Sequence, residues 1–153
     1  MGGSPGRALH LLDVEYLGLG PWLSAGDLSL VLGRYRSEAD WHLGDHLVGA
    51  ASNWVYERIA FDCPSDIRLL PAGGGPDAAD LRLIDEATHV IDLTRYDRVV
   101  VASGDHLFGI VADAAHDLGV EVWAAAYAFN LARSLAESVD RVIDLTVAHA
   151  LAA

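Results

Sequence analysis

Residues 98–105 read Arg98-Val99-Val100-Val101-Ala102-Ser103-Gly104-Asp105, an apolar run that ends in two small residues and an acid. Successive apolar residues of this kind predict a strand that is covered on both faces, as in a parallel sheet. The Ser-Gly-Asp end predicts a turn that carries a carboxylate, and helical spacing follows over residues 108–118. Because strand, turn and helix in this order form the unit of α/β proteins, this stretch decides the fold class.

The same alternation extends along the chain in both directions. Five further apolar runs predict strands: Ala8–Val14, His46–Ala51, Ile67–Leu70, Val120–Ala125 and a short Arg141–Leu145. Helical patterns lie between them: Ala25–Ala39 capped by Ser24, Trp54–Ala60 capped by Asn53, Ala78–Ile91, and Leu131–Ser138 capped by Asn130. We therefore predict a single Rossmann-like α/β domain over residues 8–145, with a mainly parallel sheet and helices on both faces. Residues 1–7 are expected to be a flexible N-terminus and residues 146–153 a C-terminal tail.

Composition and charge exclude several classes of function. The chain has 153 residues, 52% of them hydrophobic, which suits one globular domain with a substantial core. All ten basic residues are arginine, so lysine-dependent chemistry such as a P-loop or a Schiff base is excluded. The net charge of -12 argues against nucleic-acid binding through a broad basic surface.

Cysteine use and hydropathy bear on the location of the protein. Cys63 is the single cysteine, which excludes an internal disulfide and is typical of a reducing compartment. The first seven residues lack the apolar segment of a signal peptide, and no apolar run approaches the roughly 20 residues that span a bilayer. The sequence therefore predicts a cytoplasmic protein without a membrane partner.

Acidic residues follow the predicted strands where ligand sites of α/β sheets lie. Asp13 ends the first strand, Asp105 follows the fourth, and Asp77 and Asp80 begin a helix after a glycine-rich loop. Asp77 and Asp105 can also act as helix caps, with Asp80 favoured by the helix dipole. Asp13 is harder to explain structurally, because a buried carboxylate without a partner costs several kcal/mol. Clustered carboxylates favour a divalent cation between them, and oxygen ligands suit Mg²⁺ or Mn²⁺.

Several motifs, in order along the chain, resemble the NYN-domain branch of the PIN-like metal-dependent ribonucleases. The opening Leu11-Leu12-Asp13-Val14-Glu15-Tyr16-Leu17 is similar to the family's first strand, and Gly75-Pro76-Asp77-Ala78-Ala79-Asp80-Leu81 resembles its helix-start acid segment. The strongest match is residues 96–108, which resemble the family's strand ending in Ser-Gly-Asp-x-x-Phe. Residues 118–122 and 139–145 are similar to its closing strand and tail, so the resemblance covers nearly the whole chain.

The resemblance implies a function and a set of site residues. Asp13, Asp80 and Asp105 would be the catalytic, metal-binding acids, with Mg²⁺ or Mn²⁺ as cofactor. The activity implied is hydrolysis of RNA phosphodiester bonds by a metal-activated water, with single-stranded RNA bound weakly in the absence of metal. Ser103 would orient a carboxylate or a phosphate contact.

The sequence leaves the roles of five residues around these acids open. Leu107 stands where many relatives have a further acid, and Tyr16 stands where they have asparagine. Glu15 or Asp77 would fill that gap, and His106 would contact a phosphate or act as an acid.

Two alternatives stay open at this point. One is a non-catalytic PIN-like binding or scaffold domain, with a protein partner or a second copy of the chain. The other is a metal-dependent phosphohydrolase that acts on small substrates through the same acids. Trp41, Trp54 and Trp123 are expected to pack in or beside the core rather than to stack on bases.

Overall fold

The computed structural model describes residues 6–146 and is built around a six-stranded sheet. The strands are β1 (Ala8–Asp13), β2 (His46–Ala51), β3 (Ile67–Pro71), β4 (Arg98–Ala102), β5 (Glu121–Ala126) and β6 (Arg141–Asp144). Their spatial order is β3-β2-β1-β4-β5-β6, and every neighbouring pair is parallel. This is the order of a doubly wound, Rossmann-like sheet, so the predicted fold class is confirmed.

Helices connect the strands on both faces of the sheet. They are α1 (Val14–Leu17), α2 (Ala25–Glu38), α3 (Asn53–Ile59), α4 (Ala78–Asp85), α5 (Gly109–Asp117) and α6 (Arg133–Ser138). Buried side chains of α4, α5 and α6 form one core cluster with one face of the sheet, and those of α1, α2 and α3 form a second with the opposite face. Burial on both faces explains why β1 and β4 are apolar without alternation.

Local signals in the sequence explain several helix ends. Ser24 accepts the backbone N–H of Asp27 and completes a reciprocal capping box at the start of α2, as predicted. Gly119 follows α5 with φ +75°, a left-handed conformation that glycine adopts without steric cost.

Two predicted caps are wrong. The side-chain oxygen Oδ1 of Asn53 accepts the backbone N–H of Gly73, and α3 begins at Asn53 itself without a side-chain cap. Asn130 belongs to a 3₁₀ turn, and α6 begins three residues later at Arg133.

The predicted helix Ala78–Ile91 ends earlier as an α-helix and continues as a π-helical turn over Glu86–Val90. Glu86 is buried in this turn, and its two carboxylate oxygens accept hydrogen bonds from Arg68 on β3 and Arg82 on α4, at 3.0 and 2.8 Å. A buried carboxylate needs such partners. The change of helix type thus coincides with a buried charge that is neutralised from two elements.

The segments predicted to flank the domain lie mostly beyond the described range. Residues 1–5 of the N-terminus and 147–153 of the tail are outside the described residues. Within residues 6–146, no helix combines the length and apolar character needed to cross a membrane.

Candidate metal centre

The acids predicted from the sequence meet at the carboxyl edge of the sheet, where the strand order reverses between β1 and β4. Asp13 is the last residue of β1, and Asp105 follows the end of β4 by three residues. Asp80 lies in the first turn of α4. All three line one open cleft of about 670 Å³. The fold therefore places the acids at the position where open α/β sheets bind ligands.

Asp13 and Asp105 are anchored in the same way. Oδ1 of Asp13 accepts the backbone N–H of Tyr16 at 3.2 Å, and Oδ1 of Asp105 accepts that of Leu107 at 2.9 Å. Each aspartate therefore caps the helical turn that follows its strand, as the structural interpretation of Asp105 predicted. A cap uses only one carboxylate oxygen, so capping and cation binding are compatible in both residues.

Asp80 is buried, as Asp13 is, and has an oxygen without a partner among the described residues. Its exposed fraction is 6%, and within residues 6–146 its Oδ1 has no hydrogen-bond partner. A buried polar atom without a partner costs about 1–3 kcal/mol, and more if it is charged. Oxygens of Asp77, Asp80 and Asp105 lie within 4.8 Å of one another. An unpartnered buried oxygen in a group of acids is what a cation would satisfy.

Asp77 belongs to the cluster although it was expected first as a helix cap. It occupies the N-cap position of α4 but makes no side-chain cap hydrogen bond. Its φ of +60° is left-handed, a conformation that aspartate tolerates better than most residues. The exposed Asp77 carboxylate thus adds a fourth acid at the mouth of the cleft.

Burial and mutual repulsion perturb the two innermost acids. Burial, together with the neighbouring Asp13 and Asp105 carboxylates, raises the pKa of Asp80 to about 9. Burial also raises the pKa of Asp13, although its interaction with the Asp80 carboxyl opposes that shift. In the metal-free protein at neutral pH, Asp80 accordingly holds a proton that it would have to release to a cation.

The donor set fits a hard divalent cation. Within residues 6–146, the close group consists of the carboxylates of Asp77, Asp80 and Asp105, with Asp13 lining the same cleft. Carboxylate oxygens are the ligands that Mg²⁺ and Mn²⁺ prefer. Within the described chain, no arginine forms an ion pair with Asp13, Asp77, Asp80 or Asp105. Among the described residues, no arginine therefore compensates the charge of the ionised cluster.

The predicted supporting residues are all near the cluster, in different roles. The buried Ser103 hydroxyl accepts the backbone N–H of Asp105 at 3.2 Å and so shapes the turn that carries this acid. Glu15 accepts the backbone N–H of Ser52 at 2.7 Å and joins the ends of β1 and β2. His106 is exposed, with Nδ1 at 3.3 Å from Asp105 Oδ1.

The two departures from the family pattern have structural explanations. The Tyr16 hydroxyl accepts the backbone N–H of Tyr127 at 2.8 Å and donates to the carbonyl of Asn130 at 2.9 Å. Tyr16 thus fixes the loop after β5 against the cleft. Leu107 packs against the hydrophobic core instead of lining the cleft.

Gly104 explains why this loop can approach the Ser-Gly-Asp turn so closely. A Cβ atom at this position would lie 1.8 Å from the carbonyl oxygen of Asn130. The backbone N–H of Ala132 also donates to the Gly104 carbonyl at 2.8 Å. Glycine is therefore required by close backbone packing beside the candidate site.

Comparison with known proteins supports the fold and leaves the function open. No protein-family model matches this sequence, and no curated protein is similar to it. A solved structure of a protein of unknown function from Vibrio parahaemolyticus RIMD 2210633 is similar, with a TM-score of 0.59 and 15% identity. The match covers 94% of this chain and 96% of the Vibrio chain. At this identity the likeness shows a shared fold and no more.

Proposed function

We propose that this protein is a metal-dependent ribonuclease of the NYN/PIN-like type, which hydrolyses RNA phosphodiester bonds with Mg²⁺ or Mn²⁺. The observation that carries the proposal is the buried, unpartnered Oδ1 of Asp80 in a cleft where oxygens of Asp77, Asp80 and Asp105 lie within 4.8 Å of one another and which Asp13 also lines. The motifs that resemble this family imply Asp13, Asp80 and Asp105 as metal ligands. Asp77 lies beside them in the structure.

The position of each residue in the cleft suggests its role in the reaction. Asp13, Asp80 and Asp105 would hold the cation, and the exposed Asp77 would complete the ligand set or orient a water. A bound divalent cation would lower the pKa of a coordinated water and neutralise negative charge on the phosphate. Ser103 keeps the Asp105 turn in place, and the exposed His106, beside Asp105, would contact a phosphate or act as an acid. Asp80 must lose its proton when the cation binds, so metal affinity should rise with pH.

The net charge of -12 determines how RNA would bind. Little counterion release is available to a protein with ten arginines and 22 acids, so affinity for the phosphate backbone alone should be weak. A cation in the acid cluster would reverse the local charge where the phosphate lies. We therefore expect RNA binding to be weak in EDTA, and submicromolar affinity in EDTA at about physiological salt would contradict the proposal.

Cleavage of a labelled RNA tests the function directly. A 5′-labelled single-stranded RNA is incubated with the protein in Mg²⁺, Mn²⁺ or EDTA, and thermal unfolding is followed under the same conditions. The Asp80→Asn variant should lose at least about a hundredfold in rate, since it lacks a ligand to the cation. Asp113→Asn is the matched control, because Asp113 is an exposed aspartate of α5 outside the cleft.

The outcomes separate the three interpretations. Metal-dependent stabilisation together with cleavage that Asp80→Asn abolishes supports the ribonuclease. Stabilisation without cleavage of RNA would point to a phosphohydrolase of small substrates. If metal neither stabilises the protein nor promotes cleavage, the protein is a binding or scaffold domain and the proposal is wrong.

A further inference from the structure

The cleft with the acid cluster is bordered by large aromatic side chains that are exposed to solvent. Trp22 is 79% exposed, follows Pro21, which lines the cleft, and itself lines an adjoining pocket that shares Leu19 with the cleft. Trp54 is half exposed and lies two residues after Ser52, another lining residue. Phe129 is 64% exposed and lines the cleft itself. We call these three residues the aromatic rim. Exposed aromatic groups beside a polar cleft mark an interaction surface.

Trp22 and Trp54 are held in a fixed arrangement. Their rings meet edge to face, with centroids 5.4 Å apart. The Arg58 guanidinium lies 4.3 Å from the Trp54 ring centre and donates hydrogen bonds to the carbonyls of Pro21 and Leu23. Arg58 therefore ties the loop that carries Trp22 to the helix that carries Trp54. This side of the aromatic rim is organised before any ligand binds, which lowers the entropic cost of binding.

Phe129 ends an aromatic stack on the other side of the cleft. It lies on Tyr127 with ring centroids 5.4 Å apart and an interplanar angle of 16°. Tyr127 in turn contacts Tyr16 at 5.4 Å and donates its hydroxyl hydrogen to the carbonyl of Leu17 at 2.6 Å. One face of Phe129 is therefore covered by a ring that is itself held in place. Its solvent-exposed side is suited to continuing the stack with another flat ring.

The topology places the two sides of the rim apart. Ser52 follows β2 and Tyr127 follows β5, and three strand spacings separate β2 from β5. At about 4.8 Å per spacing the ends of β2 and β5 are about 14 Å apart, and the ends of β1 and β4, which lead to Asp13 and Asp105, lie between them. Stacked bases are only about 3.4 Å apart, so the two sides would hold non-adjacent bases. Bases of a duplex are paired and stacked and cannot open in this way, whereas those of a single strand can.

We infer that the aromatic rim is a base-stacking subsite for single-stranded RNA, with Phe129 and Trp22 holding bases on either side of the phosphate that lies at the acids. The inference rests on the proposed function for the position of that phosphate. It also explains how an acidic protein gains affinity for RNA. Stacking on aromatic rings needs no positive charge and tolerates any base, because every base has a flat face.

Binding of short oligonucleotides tests the subsite separately from catalysis. Fluorescein-labelled octaadenylate, octauridylate, an abasic octamer of the same backbone and an RNA duplex are titrated by fluorescence anisotropy. Ca²⁺ replaces the activating ion, and gels verify that the RNA stays intact. Phe129→Ala, Phe129→Leu and Trp22→Ala are compared with Phe61→Ala. Phe61 is a fully exposed phenylalanine that does not line the cleft, so it controls for the loss of an exposed ring.

We expect each rim variant to weaken octaadenylate binding about tenfold, which is the loss of one stacked base. Phe129→Leu should behave like Phe129→Ala, since leucine is apolar but cannot stack. Phe61→Ala should bind as the parent does, and the abasic octamer and the duplex should bind weakly to every form. A further variant, Trp22→Phe, should retain affinity because phenylalanine can still stack. If a base stacks on Trp22 in the parent, RNA should quench the intrinsic tryptophan fluorescence, and this variant should show less quenching.

Several results would overturn the inference. Rim variants that bind like Phe61→Ala, or an abasic octamer that binds like octaadenylate, would show that bases are not recognised. A parent that binds none of the oligonucleotides would overturn it as well. If the rim variants changed the sedimentation of the protein and left RNA affinity intact, the rim would be a contact between copies of the chain. These results differ from those that would contradict the ribonuclease proposal. That proposal fails if metal-dependent cleavage is absent, even when bases stack on the rim.

Discussion

The Asp80→Asn substitution gives the sharpest physical test of the acid cluster, because it is expected to stabilise the metal-free protein. The pKa of Asp80 is raised from 3.8 to about 9, chiefly by burial. A carboxyl group whose pKa is raised on folding contributes stability at low pH, and this contribution is lost as the pH rises through the folded value. At pH 7 the unfolded chain has ionised Asp80, whereas the folded chain must keep it protonated.

The size of this loss of stability follows from the difference between pH 7 and 3.8, the ordinary pKa of the aspartate. About three pH units at about 1.4 kcal/mol each amount to as much as about 4 kcal/mol of lost stability. Asparagine is nearly the same size and is neutral in both states, so it avoids this cost. The buried amide group of asparagine lacks some hydrogen-bond partners, and this costs about 1–3 kcal/mol of the gain. We therefore expect metal-free Asp80→Asn to be more stable than the parent at pH 7 by about 2 kcal/mol.

Urea unfolding at pH 5 to 8, with EDTA or with Mn²⁺, measures both consequences. In EDTA the advantage of Asp80→Asn over the parent should grow with pH across this interval. The buried His10, whose pKa is lowered by burial, also makes stability depend on pH. Its contribution is the same in both proteins, so it cancels in the difference between their unfolding free energies. For an ion present at 100 times its dissociation constant, the parent should gain about 2.7 kcal/mol and the variant much less.

The refuting results are equally specific. An Asp80→Asn protein that is less stable than the parent in EDTA at every pH would show that Asp80 has a stabilising partner in the folded state. An unchanged Mn²⁺ effect in the variant would remove Asp80 from the metal centre. Asp113→Asn should match the parent in both conditions, and a change in this control would assign the effects to net charge.

Two further substitutions test the residues that depart from the family pattern. Tyr16→Phe should cost about 1–3 kcal/mol in urea unfolding, because the backbone N–H of Tyr127 and the carbonyl of Asn130 lose the hydroxyl between them; an unaltered unfolding free energy would mean that water replaces it. Leu107→Asp should destabilise the protein by a similar amount and leave Mn²⁺ affinity unchanged in calorimetry, since Leu107 packs on the core; a rise in affinity would show instead that the side chain reaches the cluster.

The strands could be predicted from the sequence because their signal is local. β4 was predicted with its observed bounds, Arg98–Ala102, since burial on both faces makes the strand apolar throughout. The helix ends were harder to predict from the sequence, because the residues that bond to them are distant in sequence. Asn53 forms its hydrogen bond with Gly73, 20 residues away, and nothing in the sequence around Asn53 indicates that competition. The π-helical turn likewise contains Glu86, whose partner Arg68 lies 18 residues away on β3.

The candidate site shows the same division. Asp13, Asp80 and Asp105 could be identified from their positions after strands and at a helix start, and the fold brings them together. The place of Asp77 in the cluster depends on its left-handed backbone, which the sequence does not specify. Trp54 was expected to pack near the core and is half exposed instead. Trp22 and Phe129 lie in loops without a periodic pattern, so the aromatic rim emerges only when the fold brings the loops after β1, β2 and β5 together.

The acid cluster and the aromatic rim are linked through charge. In the metal-free protein at neutral pH, the proton on Asp80 relieves part of the repulsion among the four carboxylates, but the cleft still repels a phosphate. The rim can hold bases in either condition, because stacking does not depend on the charge of the cleft. A cation would replace the proton and turn the centre of the cleft from repulsive to attractive for the phosphate between the two stacked bases. RNA and metal must then increase each other's affinity by the same factor, since coupling between two binding sites is reciprocal. An acidic protein could in this way bind RNA selectively without a basic surface, with bases held by the rim and the phosphate held only when metal is present.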